Sequence, residues 1–347
     1  LILSTLGNDE LTYEKKTEFN LGIDLGFLEN RINVAMDVYT RDNHDLIGTT
    51  RTQGVGGEIA KFANIASMKS HGFELSVSSN NIKTKDFSWN TDFIYSIYKN
   101  EVTDLNAIAT TMDYVSGTGF TMVGYPHRGL FSIPFAGLDS NGIPMFYNEK
   151  GEITSTDLSF QSSDDFSWLK YEGPTEPTFT GSLGNSFTYK NVHLNVFFTY
   201  SGGNVVRLDP VFSYRYSDLT ATTREFKNRW MVPGDENRTN VPTILSYRQY
   251  YENAELRNAY SAYNYSTERV AKGGFIRLKE ISVAYDFPKK WLSALKVSNV
   301  SLKLQATNLC LLYADKKLNG QDPEFVNSGG VASPVPRQFT MTLRLGL

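Results

Sequence analysis

The side chains best suited to catalysis or metal binding lie far apart in this 347-residue sequence. No Gly-x-Ser-x-Gly motif presents a serine nucleophile. The acidic stretch 162–168 and the turn DSNG at 139–142 carry carboxylates, but neither has the spaced oxygen ligands of a calcium loop. The histidines show no pair at zinc-ligand spacing; they are His44, His71, His127 and His193. The sequence therefore predicts no catalytic site, no metal site and no cofactor.

Binding chemistry is concentrated in one long polar region, 204–269, where aromatic residues alternate with Arg, Asn and Asp. Such a mixture is typical of interaction surfaces, because rigid rings supply contact area and their polar neighbours supply hydrogen bonds. The alternative is that these rings only hold the loop together. The candidate residues for contact with a ligand or partner are Tyr214, Tyr216, Trp230, Tyr247, Tyr250, Tyr251 and Tyr263, and Tyr260 and Tyr265 share the region.

Composition excludes several classes of partner. The net charge is -3 with both signs interspersed, so there is no basic footprint for nucleic acid.

Cys310 is the single cysteine and cannot form an internal disulfide. No stretch approaches the ~20 apolar residues of a spanning helix, but strands that alternate apolar and polar residues also cross membranes at low mean hydropathy.

The elements that must position these residues are strands. Leu21, Ile23 and Leu25 alternate with polar or small neighbours, and period-two patterns of this kind recur along the chain. Helical periodicity is confined to SYRQYYENAELRNAY at 246–260. The expected strands are 16–28, 31–45, 60–79, 87–101, 177–190, 192–203, 270–287, 299–313 and 336–347, with a further hairpin of 128–137 and 143–148 around DSNG.

Short and long connections alternate along the whole chain. A soluble sandwich has no reason to sort its loops in this way, whereas outer-membrane barrels have short periplasmic turns and long extracellular loops. On this interpretation the long connections 46–59, 102–176, 204–269 and 314–335 are extracellular, and the C-terminus reaches the periplasm.

The two faces of each strand differ in polarity. In PRQFTMTLRLGL, Phe339, Met341 and Leu343 alternate with Thr340 and Thr342. Other strands carry charged residues at the polar positions, and an unpaired charge inside a dry core would cost several kcal/mol. The polar face is therefore expected to line a wet lumen, with outer-membrane lipid on the apolar face. The residues expected to face the lumen are Glu74, His193, Asn195, Lys303 and Arg344. Aromatic residues near the short turns fit an interfacial girdle; they are Phe27, Trp89, Tyr189, Phe287 and Trp291.

The strand count is odd, with or without the extra hairpin, whereas bacterial single-chain barrels usually have an even number. The first strand also starts on the outside. Residues 1–347 are therefore expected to be the C-terminal part of a larger barrel.

At this point the sequence resembles the SusC/RagA-type TonB-dependent outer-membrane transporters. The stretch 6–47 carries that family's mid-barrel pattern, an Asn and a Leu before an aromatic-Glu pair, then Gly-x-Asp and an Asn-Arg turn. Further similar segments follow in order: HGFELSVSSNNIKTKDFSWNTDF, FAGLDSNGIPMFYNEKG, GGFIRLKEISVAYDFPKKW and the terminal strand. The pattern residues are Asn8, Leu11, Tyr13, Glu14, Gly22, Asp24, Asn30 and Arg31.

The resemblance implies an all-β fold, the C-terminal portion of a 22-stranded antiparallel transmembrane barrel. It implies import of an oligosaccharide or oligopeptide at the Gram-negative outer membrane. It further implies a SusD-like surface lipoprotein over the mouth and energy from the TonB complex. The plug domain and TonB box would lie outside this chain.

Two alternatives remain at this stage. An outer-membrane enzyme or adhesin could use the barrel as an anchor, and His193 beside Asn195 and Thr199 is the nearest approach to an enzyme site. A soluble β-sandwich lectin would instead bury Leu343 and Val196.

Overall fold

The computed structural model describes residues 8–52, 54, 59–161, 165–211, 223–292, 297–326 and 335–346. Strands dominate these ranges. In chain order they are β1 (Lys15–Phe27), β2 (Ile32–Arg51), β3 (Ala60–Lys83), β4 (Phe87–Leu105), β5 (Gly129–Ser132), β6 (Phe135–Leu138), β7 (Pro144–Tyr147), β8 (Ile153–Thr154), β9 (Lys170–Pro174), β10 (Phe179–Tyr189), β11 (Val192–Gly202), β12 (Val205–Arg207), β13 (Val270–Lys272), β14 (Phe275–Asp286), β15 (Asn299–Tyr313) and β16 (Gln338–Gly346).

Nine long strands form one antiparallel sheet in the order β1-β2-β3-β4-β10-β11-β14-β15-β16. Each of these nine strands pairs with the next of the nine in sequence order, so the sheet is a meander whose edges are β1 and β16. The all-β fold expected from the sequence is confirmed. The sandwich alternative is wrong, because these nine strands lie in a single sheet and Leu343 is 58% exposed.

Cross-strand register keeps apolar and polar side chains on opposite faces. One row runs through Leu194, Val283, Leu304 and Met341 on four neighbouring strands. The adjacent row runs through Asn195, Ser282, Gln305 and Thr340 on the same strands. Since side chains alternate along a strand, the two rows lie on opposite faces, which we call the apolar face and the polar face.

On strand β14 exposure is inverted relative to a water-soluble sheet. On β14, which has a neighbour on each side, Val283 is 43% exposed whereas Ser282 beside it is only 6% exposed. Tyr39 on the polar face of β2 is likewise buried. Side chains crowd together on the inner side of a curved wall and spread apart on the outer side. The pattern therefore fits a wall with its polar face inside and its apolar face outside.

The short turns hold aromatic residues at one end of the sheet. Trp89 stacks on Phe187 with ring centroids 5.7 Å apart, and Phe287 contacts Tyr285 at 5.1 Å. Phe27, Tyr189 and Trp291 are exposed at the same end. The long connections all leave from the opposite end.

Two sequence expectations need correction. The hairpin around DSNG exists, but β6, β7 and β8 form a separate small sheet, and β5 pairs with β9, so none of them belongs to the wall. The strand expected at 270–287 is divided into β13 and β14 by Gly273 and Gly274. β13 leaves the wall to pair with β12.

The helices are α1 (Thr111–Val115), α2 (Tyr247–Glu252), α3 (Ala254–Asn264) and α4 (Lys289–Leu292). The helical pattern in SYRQYYENAELRNAY is confirmed by α2 and α3. Ser246 is the N-cap of α2 and forms a capping box with Gln249. Asn253 caps α3 by accepting hydrogen bonds from the backbone amides of Glu255 and Leu256. No helix in the described ranges is long and apolar enough to cross a membrane.

The long connections fold together rather than remaining open loops. We call the described parts of 106–178, 203–274 and 314–326 the loop cap. Its core contains Tyr114, Phe131, Phe146 and Tyr263, each at most 5% exposed. A second, smaller cluster packs Val206 and Ala271 against Leu318. The loop cap is thus a packed body with its own hydrophobic core.

Candidate functional site

The residues predicted to face a lumen all lie on the polar face. His193 pairs in register with Ala284, which pairs with Lys303 on the next strand. Asn195 accepts a hydrogen bond from the Ser186 hydroxyl at 3.0 Å. Glu74 and Arg344 occupy the same face on β3 and β16, where they pair in register with Asp37 and Ser301. The structure therefore brings these side chains onto one surface, and their contact with an aqueous passage stays a prediction.

His193 also takes part in a short hydrogen-bonded chain at the short-turn end. Its Nδ1 lies 3.1 Å from the Thr188 hydroxyl, and its Nε2 lies 2.9 Å from Oδ2 of Asp286. The side chains of His193 and Asp286 are 41% and 55% exposed. A nucleophile and base of a hydrolase act in a water-excluded site, and this chain of hydrogen bonds is open to solvent. It supports a structural role.

The aromatic candidates of 204–269 occupy different environments in the structure. Tyr214 and Tyr216 lie outside the described residues, and Tyr247 begins α2. Trp230 donates its indole N–H to Glu236 at 2.9 Å and covers Gly142. Tyr250 and Tyr251 contact each other edge to face at 5.2 Å, and Tyr251 is 44% exposed.

Tyr263 offers almost no surface to a ligand in this structure. It is 2% exposed and packs against Phe135 with ring centroids 5.7 Å apart. Burial raises the pKa of its phenol, with Glu268 nearby acting in the same direction. For this residue the structure supports the alternative that the tyrosine holds the loop together.

A buried arginine joins distant parts of the loop cap. Arg207 donates to the Ser132 hydroxyl and to the carbonyls of Val115, Phe131 and Ser266 at 2.7–3.2 Å. Burial lowers the pKa of Arg207 to about 10, so the guanidinium remains charged at neutral pH. The sequence pattern gave no sign of this role.

A second buried arginine attaches the last long connection to the wall. Arg277 on β14 contacts both carboxylate oxygens of Asp322 at 2.6 Å, and Glu324 lies at 2.6 Å as well. The side chains of Arg277 and Asp322 are each 4% exposed. This pairing attaches residues 322–324 of the loop cap to a wall residue that lies 45 positions before Asp322 in the chain.

The loop cap contains a cationic cavity of about 530 Å³ beside the stretch 227–241. Its basic lining residues are Lys227, Arg229, Arg238, Arg269 and Lys317. Sequence reasoning noted arginine among the polar neighbours of the aromatic residues but did not predict a cationic cavity. A signal was present, since RWMVPGDENR begins and ends with arginine around a Pro-Gly turn. Lys317, however, joins the cavity only through folding.

Within the described ranges, no three His, Cys, Asp or Glu side chains come together as a metal-binding group.

Scanning the chain against models of known protein families finds no match. The chain is 26% identical over 349 residues to TonB-dependent receptor P3 of Formosa agariphila, covering 93% of this chain and 32% of that protein. It is 28% identical over 372 residues to TonB-dependent receptor SusC of Bacteroides thetaiotaomicron, covering 98% of this chain and 32% of that protein.

Among solved structures, the RagAB peptide transporter superposes with a TM-score of 0.75 at 21% identity. That match covers 99% of this chain and 36% of the RagAB chain. The resemblance to SusC/RagA-type TonB-dependent receptors is thus confirmed over nearly the whole chain, as is a fold equivalent to part of their antiparallel transmembrane barrel. The chain spans about a third of the length of the curated relatives that it matches.

Proposed function

We propose that this chain forms the C-terminal part of the barrel wall, with its loop cap, of an outer-membrane importer for bulky nutrients. The observation that carries the proposal is the apolar face, which continues in register across the nine-stranded sheet and leaves side chains such as Val283 and Leu304 exposed. Exposed hydrocarbon in water is unfavourable by roughly 25 cal/mol per Å². A continuous band of it is stable only against lipid or a partner of the same size.

The polar face supplies what a solute passage needs. Charged and polar groups there already have partners on the same face: Lys303 forms an ion pair with Glu280 at 3.9 Å, and the Ser186 hydroxyl donates to Asn195 at 3.0 Å. Such a surface is wetted without leaving isolated buried charges. In this proposal Glu74, His193, Asn195, Lys303 and Arg344 border the passage, and no bond of the solute is broken. The chain then works as a transporter and not as an enzyme.

The orientation follows from the asymmetry of the connections. The short turns with their aromatic girdle lie on the periplasmic side together with the C-terminus, and the loop cap lies outside the cell. The relatives are named TonB-dependent receptors, which supports TonB as the energy source acting through a plug domain elsewhere in the protein.

The outer surface of the loop cap is the proposed contact with the solute and with a SusD-like lipoprotein. It exposes apolar side chains together, with Met231 61% and Val232 58% exposed, and Tyr251 lies 44% exposed on α2. Trp230, Tyr250 and the candidates Tyr214, Tyr216 and Tyr247 belong to the same region. The solute is an oligosaccharide or an oligopeptide; the similar RagAB is described as a peptide transporter.

The test is depletion of a defined mixture of oligosaccharides and oligopeptides by living cells. Cells that lack the gene should leave one class of solute in the medium, and a protonophore added to wild-type cells should have the same effect. Import by another route would give identical depletion in the two strains, and an enzyme would release cleavage products outside protonophore-treated cells. Affinity purification of the full-length protein in detergent should also recover a lipoprotein. Recovery of the barrel alone would contradict the partner proposal.

A further inference from the structure

Three of the cations around the cationic cavity have no carboxylate partner among the described residues. No ion pair within 4.0 Å joins Lys227, Arg229 or Arg238 to an acid in the described part of the chain. Arg229 lies over the Phe226 ring at 4.9 Å, and Lys317 reaches only the Val270 carbonyl at 3.5 Å. These groups therefore present positive charge to whatever enters the cavity.

The carboxylates of the lining are mostly occupied. Glu225 pairs with buried Arg269 and accepts a second hydrogen bond from the Asn319 amide at 2.9 Å. Asp235 accepts from the amides of Met231 and Val232, each at 3.1 Å. Glu268 is the third acid. Because Arg269 and Glu225 neutralise each other, four cations remain in the described lining beside two carboxylates, Asp235 and Glu268.

We propose that this cavity binds the anionic groups of an acidic oligosaccharide, either uronate carboxylates or sulfate esters. The inference rests on the proposed import function and specifies its solute. A guanidinium presents two parallel N–H groups that match the two oxygens of a carboxylate or sulfate. Arg229 and Arg238 supply that geometry, and Lys227 and Lys317 supply additional charge at the mouth.

Neutral groups of the lining favour a sugar over a peptide. Asn228 and Asn240 bring side-chain amides, which suit the hydroxyl groups of a sugar. An extended peptide is commonly held by a free strand edge, but no described residue of the lining belongs to a strand. The volume of about 530 Å³ lies within the usual range for small-ligand pockets.

The test is isothermal titration of the full-length protein, purified in detergent, with trigalacturonic acid. Its fully methyl-esterified form is the matched uncharged probe, and a sulfated disaccharide tests the second anion. We expect the free acid or the sulfated sugar to bind at least about tenfold more tightly than the ester, because a charge-assisted hydrogen bond is worth more than 1.4 kcal/mol. Equal affinity for acid and ester, or binding of hexaglutamate in place of either sugar, would overturn the proposal.

Substitutions of lining residues test whether the anionic sugar binds in the cationic cavity. Arg229→Gln and Arg238→Gln should each weaken binding of the anionic sugar about tenfold. The control is Arg248→Gln, since Arg248 is exposed on the same connection and pairs with Glu252 outside the cavity. Equal affinities for all three variants would contradict the assignment. Retention of the folded band of the unheated protein on gels checks that each variant is intact.

Failure of this inference is distinguishable from failure of the proposed function. A protein that imports a solute by a protonophore-sensitive route but binds no anionic sugar refutes only the cavity assignment. A protein that binds trigalacturonic acid through Arg229 but depletes no solute from the medium refutes import and leaves the binding site standing.

Discussion

Arg207 joins segments of the loop cap that lie far apart in the sequence. Its two terminal nitrogens reach the end of α1, strand β5 and the residues before β13. These acceptors are buried, and a buried carbonyl without a partner costs about 1–3 kcal/mol. The arrangement makes one side chain responsible for several contacts that no local sequence pattern specifies.

Replacing Arg207 with Met should therefore destabilise the loop cap by about 3 kcal/mol or more. The expected result is rapid protease cleavage within the cap of the purified protein while the wall stays intact. Arg248→Met is the control, because its exposed pair with Glu252 is worth only about 0.3–0.5 kcal/mol. An unchanged digestion pattern in Arg207→Met would contradict the assigned role.

The pH dependence of that role follows from the lowered pKa of Arg207. Burial favours the neutral form, so the cost of burying the charge is present at all pH values below about 10 and is relieved only above that value. Titration of Arg207 should therefore leave the protease resistance of the loop cap unchanged near neutral pH.

The tyrosines show how far residue-level reasoning from the sequence extends. Composition identified 204–269 as aromatic and polar, but it could not separate Tyr263 in the core from Tyr251 at the surface. Helical spacing carried that information, since Ala259, Ala262 and Tyr263 share one buried face of α3. The cationic cavity as a whole could not be predicted, because Lys317 comes to line it together with Arg229 only in the folded cap.

At the scale of elements, the nine wall strands could be predicted because each contains a period-two pattern with an apolar run on one face. Their long-loop ends were less accurate: β2 runs to Arg51 and β4 to Leu105, beyond the expected 45 and 101. The Gly273–Gly274 break was missed because the apolar pattern continues across it. The small sheets of the cap were misread since short strands carry the same pattern as wall strands.

Glycines on the wall make room for large aromatic rings on the neighbouring strand. The Tyr39 ring lies directly against Gly72 on β3, where a Cβ would clash with it. Arg41 then covers Tyr39 at 4.0 Å from the ring centroid. A glycine opposite an aromatic residue is a known way to fill the gap in a sheet and fix its register.

Gly72→Val should displace Tyr39 and weaken the β2-β3 pairing by about 1–3 kcal/mol. The measurement is the temperature at which the compact band of the full-length protein converts to the unfolded band on gels. Gly184→Ala is the control, because the nearest atom to its added Cβ, Phe197 Cδ2, would lie at an ordinary 3.4 Å. Equal transition temperatures for the two variants would show that the position of the Tyr39 ring does not depend on Gly72.

At the scale of the whole molecule, the segregation of the two faces is the property on which the functional proposal depends. It could be predicted from the sequence, since alternation within single strands fixes which residues share a face. The alternation alone left open whether the apolar side was covered by a second sheet. Only the pairing of nine strands in one sheet, with Val283 and Leu304 exposed, answers that question.

The most direct test uses two adjacent positions on β15 that point to opposite faces. In a cysteine-free background of the full-length protein, which includes Cys310→Ser, single cysteines are placed by Leu304→Cys and Gln305→Cys and labelled in native membranes. We predict that a water-soluble maleimide modifies position 305, and that a fluorophore attached at 304 is quenched by brominated lipid. Rapid aqueous labelling at 304 together with lipid quenching at 305 would contradict the account.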